Sequence, residues 1–412
     1  MQIRGSVAPG FASVEMMFAK NMSISNELDA QLCVYVDGQQ VVDLWAGTSA
    51  GFTADSLVNI FSSGKSLESI ALAQLAGDGL LHYNELISSY WPEFAEAGKE
   101  HITVADLMRH EAGLASLNVS IDPKDLLPEN IKQNKIGNVI ENHPARFARD
   151  GNPREYHAVT RGWVVNEIFR RVDPNGRTIG EDLREQISDP RGVDIVVGVN
   201  DAELDQRVPY QMLNPKDHLK ESFKPLDKRG VKHSFMQLAG NMLGMMRSFS
   251  RRSVKKAPPV FHGMTSLDQF NSSAVAQGET PSANSHATAR GLAKLAAAMA
   301  NGGSIDGKSC LNQIGWEMMH KLPVERPMGF TTRFTQGGVN LYETVGAGSR
   351  LDHAANSGRD GFYGWMGLGG SLFQWHPELK IGFAFVPTRL HVMDFLNERG
   401  KAYQEAVLNI VR

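Results

Sequence analysis

Ser62-Ser63-Gly64-Lys65 opens an apolar run in which Leu67, Ile70, Ala71 and Leu75 recur at helical intervals. Residues 62–76 therefore read as a buried helix whose first turn carries both Ser62 and Lys65. Residues three apart share a helix face. Burial favours the neutral form of an amine, so a partly desolvated Lys65 would lose its proton far below the free lysine range and accept the hydroxyl proton of Ser62. The string does not establish this by itself. Short S-x-x-K matches arise by chance, and an N-cap serine beside a solvated lysine has the same spacing.

Two other strings compete for nucleophile or phosphate chemistry, and both fail on context. Gly64-Lys65-Ser66 ends like a phosphate-binding loop, but that motif needs glycine at 59 and the chain has Asn59. Gly47-Thr48-Ser49-Ala50-Gly51 matches the G-x-S-x-G nucleophile elbow, which requires a helix directly after it. The polar Phe52-Thr53-Ala54-Asp55 follows instead, so Ser49 reads as part of a glycine-rich loop.

Composition frames the rest. The chain has 412 residues, 42% hydrophobic and 21% charged, which describes a soluble globular protein large enough for two domains or one domain with an insertion. A net charge of -3 leaves no footprint for nucleic acid. Cys33 and Cys310 are too few for a disulfide framework, and Cys33 lies in an apolar strand where a buried thiol is the ordinary reading. The N-terminal residues lack the apolar core of a signal peptide and no stretch reaches transmembrane length, so a cytoplasmic location without stable membrane insertion is expected.

Gln31 to Val36 and Val41 to Trp45 flank Asp37-Gly38, a hairpin turn signal. Ser371 to Trp375 and Lys380 to Val386, around His376-Pro377-Glu378-Leu379, form a second hairpin, and the two are expected to share one antiparallel sheet. Helices at about residues 10–21 and 397–412 would cover it. Between 86 and 285 strand signals are sparse, while Val104 to Arg109, Val159 to Arg171 and Ile179 to Ile187 look helical. The expected fold is an α/β (α+β) sandwich: residues 1–85 and 286–412 form a sheet domain flanked by helices, and 86–285 an inserted, mainly helical domain.

Ser62-Ser63-Gly64-Lys65, Tyr156-His157-Ala158 and Trp365-Met366-Gly367 stand in the order and approximate spacing of the three motifs of serine β-lactamase-like proteins. The chain most resembles the class C β-lactamases and family VIII carboxylesterases, relatives of the penicillin-binding proteins. Trp91-Pro92-Glu93-Phe94, His110-Glu111-Ala112-Gly113-Leu114, Pro281-Ser282-Ala283-Asn284 and Gly367-Leu368-Gly369-Gly370-Ser371 are similar too. The likeness runs from about Gly5 to the C-terminal helix and thins between 200 and 280.

The resemblance implies a serine hydrolase without cofactor or metal. Ser62 would attack an acyl carbon and form an acyl-enzyme, with Lys65 and Tyr156 moving the protons. Positive charge nearby would lower the Tyr156 phenol pKa. The backbone N–H groups of Ser62 and Leu368 would hold the oxyanion, Leu368 from the strand after the third motif. Trp365, Gly367 and His157 would contact substrate, and glycine at 367 would let its carbonyl approach closely.

Departures from the family pattern speak to substrate. The third motif of β-lactamases begins with a cation that binds the substrate carboxylate, whereas here Trp365 and Met366 occupy those places. The second motif usually ends in asparagine; this chain has Ala158. Both changes point to small neutral esters, with a β-lactamase, a D-alanyl peptidase or a non-catalytic self-associating scaffold as alternatives. Arg161 or Arg359 would be the substitute cations. The histidines His110, His157, His353 and His376 make no metal-ligand spacing. Phe235 to Met246, apolar and methionine-rich, precedes Arg247, Arg251, Arg252, Lys255 and Lys256. It reads as core followed by a solvated turn in preference to a membrane-touching helix or lid. The oligomeric state is left open.

Overall fold

The computed structural model describes residues 2–146, 153–225, 228–249, 257–346 and 348–412. Its centre is a nine-stranded antiparallel sheet. The strands, numbered within this sheet, are β1 (Arg4–Val7), β2 (Asp29–Val36), β3 (Gln39–Gly47), β4 (Val324–Met328), β5 (Phe330–Phe334), β6 (Asn340–Leu341), β7 (Tyr363–Met366), β8 (Leu372–His376) and β9 (Ile381–Pro387). They lie in the order β1-β3-β2-β9-β8-β7-β6-β5-β4. Both expected hairpins are present in that one sheet. At the β2–β3 turn Asp37 and Gly38 take φ of 48° and 76°, the left-handed pair whose twist suits a two-residue hairpin. Pairing of Ala30 to Val36 with Ile381 to Pro387 joins the N-terminal and C-terminal hairpins edge to edge.

Six helices matter to the site: α1 (Ala12–Ile24), α2 (Lys65–Gly77), α3 (Thr160–Val172), α4 (Phe235–Phe249), α5 (Ala289–Ala300) and α6 (Glu398–Val411). Helices α1 and α6 cover one face of the sheet, where Val14, Phe18, Leu32, Val34, Phe383, Phe385, Tyr403 and Val407 form one core. Helices α2 and α5 lie on the other, packing Ile70, Leu72, Ala293 and Ala297 with Cys33, Phe373, Trp375 and Ala384. Each large apolar side chain removed from water in these layers stabilises the fold by about 1.5–3 kcal/mol.

The chain between the sheet halves is mostly helical, with Val104–Met108, α3 and Ile179–Asp182, the last running on into a π turn over Leu183–Ser188. Three two-residue strands, Val58–Asn59, His286–Ala287 and Ile195–Val196, form a small sheet that ties the start of α2 to this region. Over its described side chains, residues 235–243, helix α4 is mostly not core. Among residues 235–243 it buries Leu238, while Phe235, Met236, Met242 and Leu243 face solvent. The basic residues at 251–256 lie outside the described residues.

Candidate active site

The nucleophile stretch is not one continuous helix. Phe61–Gly64 is a 3-10 turn and α2 begins at Lys65. Phe61 sits at φ 47°, an unfavourable conformation for a bulky residue, costing on the order of 1–3 kcal/mol. Three contacts hold it: its N–H donates to Asn59 Oδ1 at 2.8 Å, and its ring packs on Tyr210 at 5.0 Å and Phe270 at 5.7 Å. The tight turn presents Ser62 to a cleft of about 190 Å³.

Lys65 is buried beneath it. Its Nζ lies 3.3 Å from Ser62 Oγ and donates to the carbonyls of Ala158 at 2.7 Å and Ser282 at 3.0 Å. Burial pushes its pKa well below the ordinary value; the Glu68 carboxylate opposes this and the Arg161 guanidinium adds to it. A neutral amine has two N–H donors and one lone pair. With both donors engaged by carbonyls, the lone pair is left for the Ser62 hydroxyl, which is the geometry of a general base. Ala158, standing where the family has asparagine, thus positions the lysine through its main chain.

The Tyr156 phenol oxygen hydrogen-bonds Ser62 and accepts from Trp365 Nε1 at 3.0 Å, and Lys65 Nζ lies 4.9 Å from its ring centroid. The lowered pKa expected for it is not what the site produces. Burial pushes the phenol up to about 12, outweighing the bonds from Ser62 and Trp365 and the charge of Arg161. The positive charge of Arg161 acts in the expected direction but is smaller than the effect of burial.

Trp365 on β7 packs against Phe334 at 5.0 Å and stacks on Phe330 at 6.3 Å. Its backbone N–H donates to Ser66 Oγ at 3.2 Å. Leu368 belongs to a 3-10 turn, Leu368–Gly370, not to a strand. Ser62 and Leu368 both stand in the first turn of a short helix, where N–H groups have no intrahelical carbonyl to reach. At Gly367 a Cβ would meet Ser371 Oγ at 2.0 Å and Ile60 O at 2.3 Å. The glycine therefore makes room for the backbone at Ile60, just before the Phe61–Gly64 turn, in addition to lining the cleft. Asn397 Nδ2 pins this segment by donating to the carbonyls of Gly367 at 2.9 Å and Ser371 at 3.0 Å.

Three expected contacts fall elsewhere. His157 does not line the cleft: its Nδ1–H donates to Glu155 O at 2.6 Å, its Nε2 accepts from the Leu114 N–H at 3.0 Å, and burial holds its pKa down to about 3. It braces the loop before α3. Neither substitute cation reaches substrate. Arg161 is fully buried against Glu68 at 2.7 Å and also donates to Lys65 O and Met108 O. Arg359 is buried behind the cleft, donating to Leu396 O and Met366 Sδ. Ser49 sits on an exposed loop, where its hydroxyl and N–H both donate to the Asp29 carboxylate.

Sequence reasoning missed Asn397, Asp394, the Ser282 carbonyl and the Glu68–Arg161 pair. Glu68, three residues after Lys65 on the same helix, was the available signal for the last. Removing one partner of a buried pair strands the other charge, so Arg161→Leu is expected to destabilise the protein by about 3–5 kcal/mol. Glu68→Leu/Arg161→Leu should lose much less. Urea unfolding midpoints check this, and equal losses would contradict it.

Known proteins share this sequence and fold. The Beta-lactamase family model matches residues 17–408. The "Esterase/beta-lactamase LipL" of Mycobacterium tuberculosis is 30% identical over 398 residues, covering 94% of this chain and 83% of that protein. A penicillin-binding protein homologue from Caulobacter crescentus superposes with a TM-score of 0.75 at 26% identity, and a family VIII carboxylesterase with 0.77 at 25%, each alignment covering all of both chains. With a family model matching most of the chain and an esterase/β-lactamase relative at 30% identity, the chain is a serine hydrolase and belongs to the Beta-lactamase family.

Proposed function

We propose that the protein hydrolyses small neutral carboxylic esters through an acyl-enzyme on Ser62. The observation that carries the reading is the buried Lys65 amine 3.3 Å from Ser62 Oγ, its pKa pushed by burial well below the ordinary lysine value. Ser62 Oγ bonds to the acyl carbon as its proton passes to Lys65 Nζ. The tetrahedral oxyanion faces the N–H groups of Ser62 and Leu368. Tyr156 relays that proton to the departing alkoxide as the C–O bond breaks. Water then attacks the acyl-enzyme, giving its proton to Lys65, and the acid leaves as Ser62 regains its hydrogen.

The cleft wall supports the choice of a neutral ester. Its lining comprises Ser62, Tyr156, Phe330, Trp365, Phe395 and other apolar or uncharged groups, with Asp394 the charged residue and no lysine, arginine or histidine among the described ones. A substrate carboxylate would meet an indole and the Asp394 carboxylate, whereas the lactamase and peptidase readings require a cation there. The test is kcat/KM for p-nitrophenyl butyrate and nitrocefin. The ester should exceed the cephalosporin by orders of magnitude, and Trp365→Lys should narrow the gap from both sides. A preference for nitrocefin in the unsubstituted protein would overturn the ester reading.

A further inference from the structure

We propose that helix α4, with the neighbouring helix Pro215–Ser222 and Phe223, forms a docking surface for anionic lipid membranes, holding the enzyme at a lipid–water interface without crossing it. An apolar surface is there. Met236 is 84% exposed and Phe223 64%; Leu219, Phe235, Met242 and Leu243 are exposed beside them. Phe223 and Phe235 stack face to face at 4.4 Å, linking the two helices. Soluble helices bury their apolar stripe, whereas this one turns aromatic and flexible thioether side chains outward, the composition of an interfacial helix.

Charge selects the partner. Over the described residues 214–225 and 228–243, Lys216, Lys220, Lys224, Lys228, Arg229 and Lys232 stand against Asp217 and Glu221, in a chain whose net charge is -3. Lys216, Lys220 and Lys228 are exposed there beside Asp217, and the exposed Lys224 pairs with Glu221 at 2.5 Å. Basic residues flanking an apolar face draw it to anionic head groups. A second copy of the chain is the poorer occupant, because a two-fold contact sets the patch against itself and its positive charge against the same charge. No helix among the described residues is long and apolar enough to cross a membrane, so the contact is peripheral.

The surface is joined to the cleft. Helix α4 packs on β5, which carries Phe330. His218, between the exposed lysines, faces His391 at 5.7 Å, and His233 Nδ1 lies 3.8 Å from Asp394 Oδ1 in the cleft wall. Docking would therefore bring the lipid surface to the elements that wall the active site.

Sedimentation with phosphatidylcholine vesicles, with and without phosphatidylglycerol, tests this. The protein should partition at least about tenfold more onto the anionic vesicles, and added salt should weaken binding. Phe223→Ser/Phe235→Ser/Met236→Ser and, separately, Lys220→Glu/Lys228→Glu should each lower binding by on the order of tenfold. Turnover of p-nitrophenyl acetate in vesicle-free buffer should stay unchanged in both, which separates this proposal from the catalytic one. Three outcomes would overturn it: no vesicle binding, equal binding by the variants, or a concentration-dependent dimer that the apolar variant abolishes without vesicle binding.

Discussion

Ser62→Ala is expected to remove ester hydrolysis by on the order of 10³-fold or more and to abolish covalent labelling by a fluorophosphonate, while Ser49→Ala leaves both near the unsubstituted level. The asymmetry follows from surroundings, since both residues are serines in short glycine-containing strings. Ser62 faces the cleft with an amine 3.3 Å away whose donors are already engaged. Ser49 lies on a solvent-facing loop after β3 and is held by Asp29 through its hydroxyl at 2.6 Å and its N–H at 2.9 Å. An inactive Ser49→Ala with an active Ser62→Ala would restore the nucleophile-elbow reading.

Lys65→Ala and Tyr156→Phe should each lower kcat by about 10²–10⁴-fold with little change in KM, because each moves a proton in the transition state. Their double variant should lose far less than the product of the single losses. Additive losses would mean that the two do not share one proton path. The pH profile carries a separate signature. Lys65 is the base only when neutral, so kcat/KM should rise with pH through a pKa below its ordinary 10.5. Tyr156, held up near 12, should add no falling limb over the working range. The rising limb should disappear in Lys65→Ala. A limb at or above the free lysine value would show that burial does not deprotonate the amine.

The sequence made legible whatever depends on periodicity and on motif spacing. Alternation around Asp37-Gly38 and around His376-Pro377 gave both hairpins, and the spacing of Leu67, Ile70 and Leu75 gave α2 to within its first turn. Strands β4 and β5 were not seen. Pro327 lies in β4, which is the edge of the sheet, and proline is tolerated there while it erases the strand signal. At the site, Ser62, Lys65, Tyr156 and Trp365 come together, and each stands in a short motif whose order and spacing resembled the family's.

What failed was whatever depends on tertiary environment. The Tyr156 pKa moves up and not down because the phenol itself is buried, a property of the fold that no string encodes. His157 shares a motif with Tyr156 but points the other way, into the loop at Leu114. The apolar residues of α4 resemble a core segment in sequence, and only their exposure distinguishes them. Asn397 and Asp394 lie far in sequence from any motif and reach the cleft through the turn into α6.

The most direct test is to quench the protein during turnover of a p-nitrophenyl ester and locate the acyl group by peptide mass spectrometry. Acyl mass on the peptide containing Ser62, absent in Ser62→Ala and accumulating when Lys65 is replaced after acylation has been forced with a reactive ester, is the predicted result. An active protein carrying its acyl group on another residue, or turning over without any acyl adduct, would contradict it.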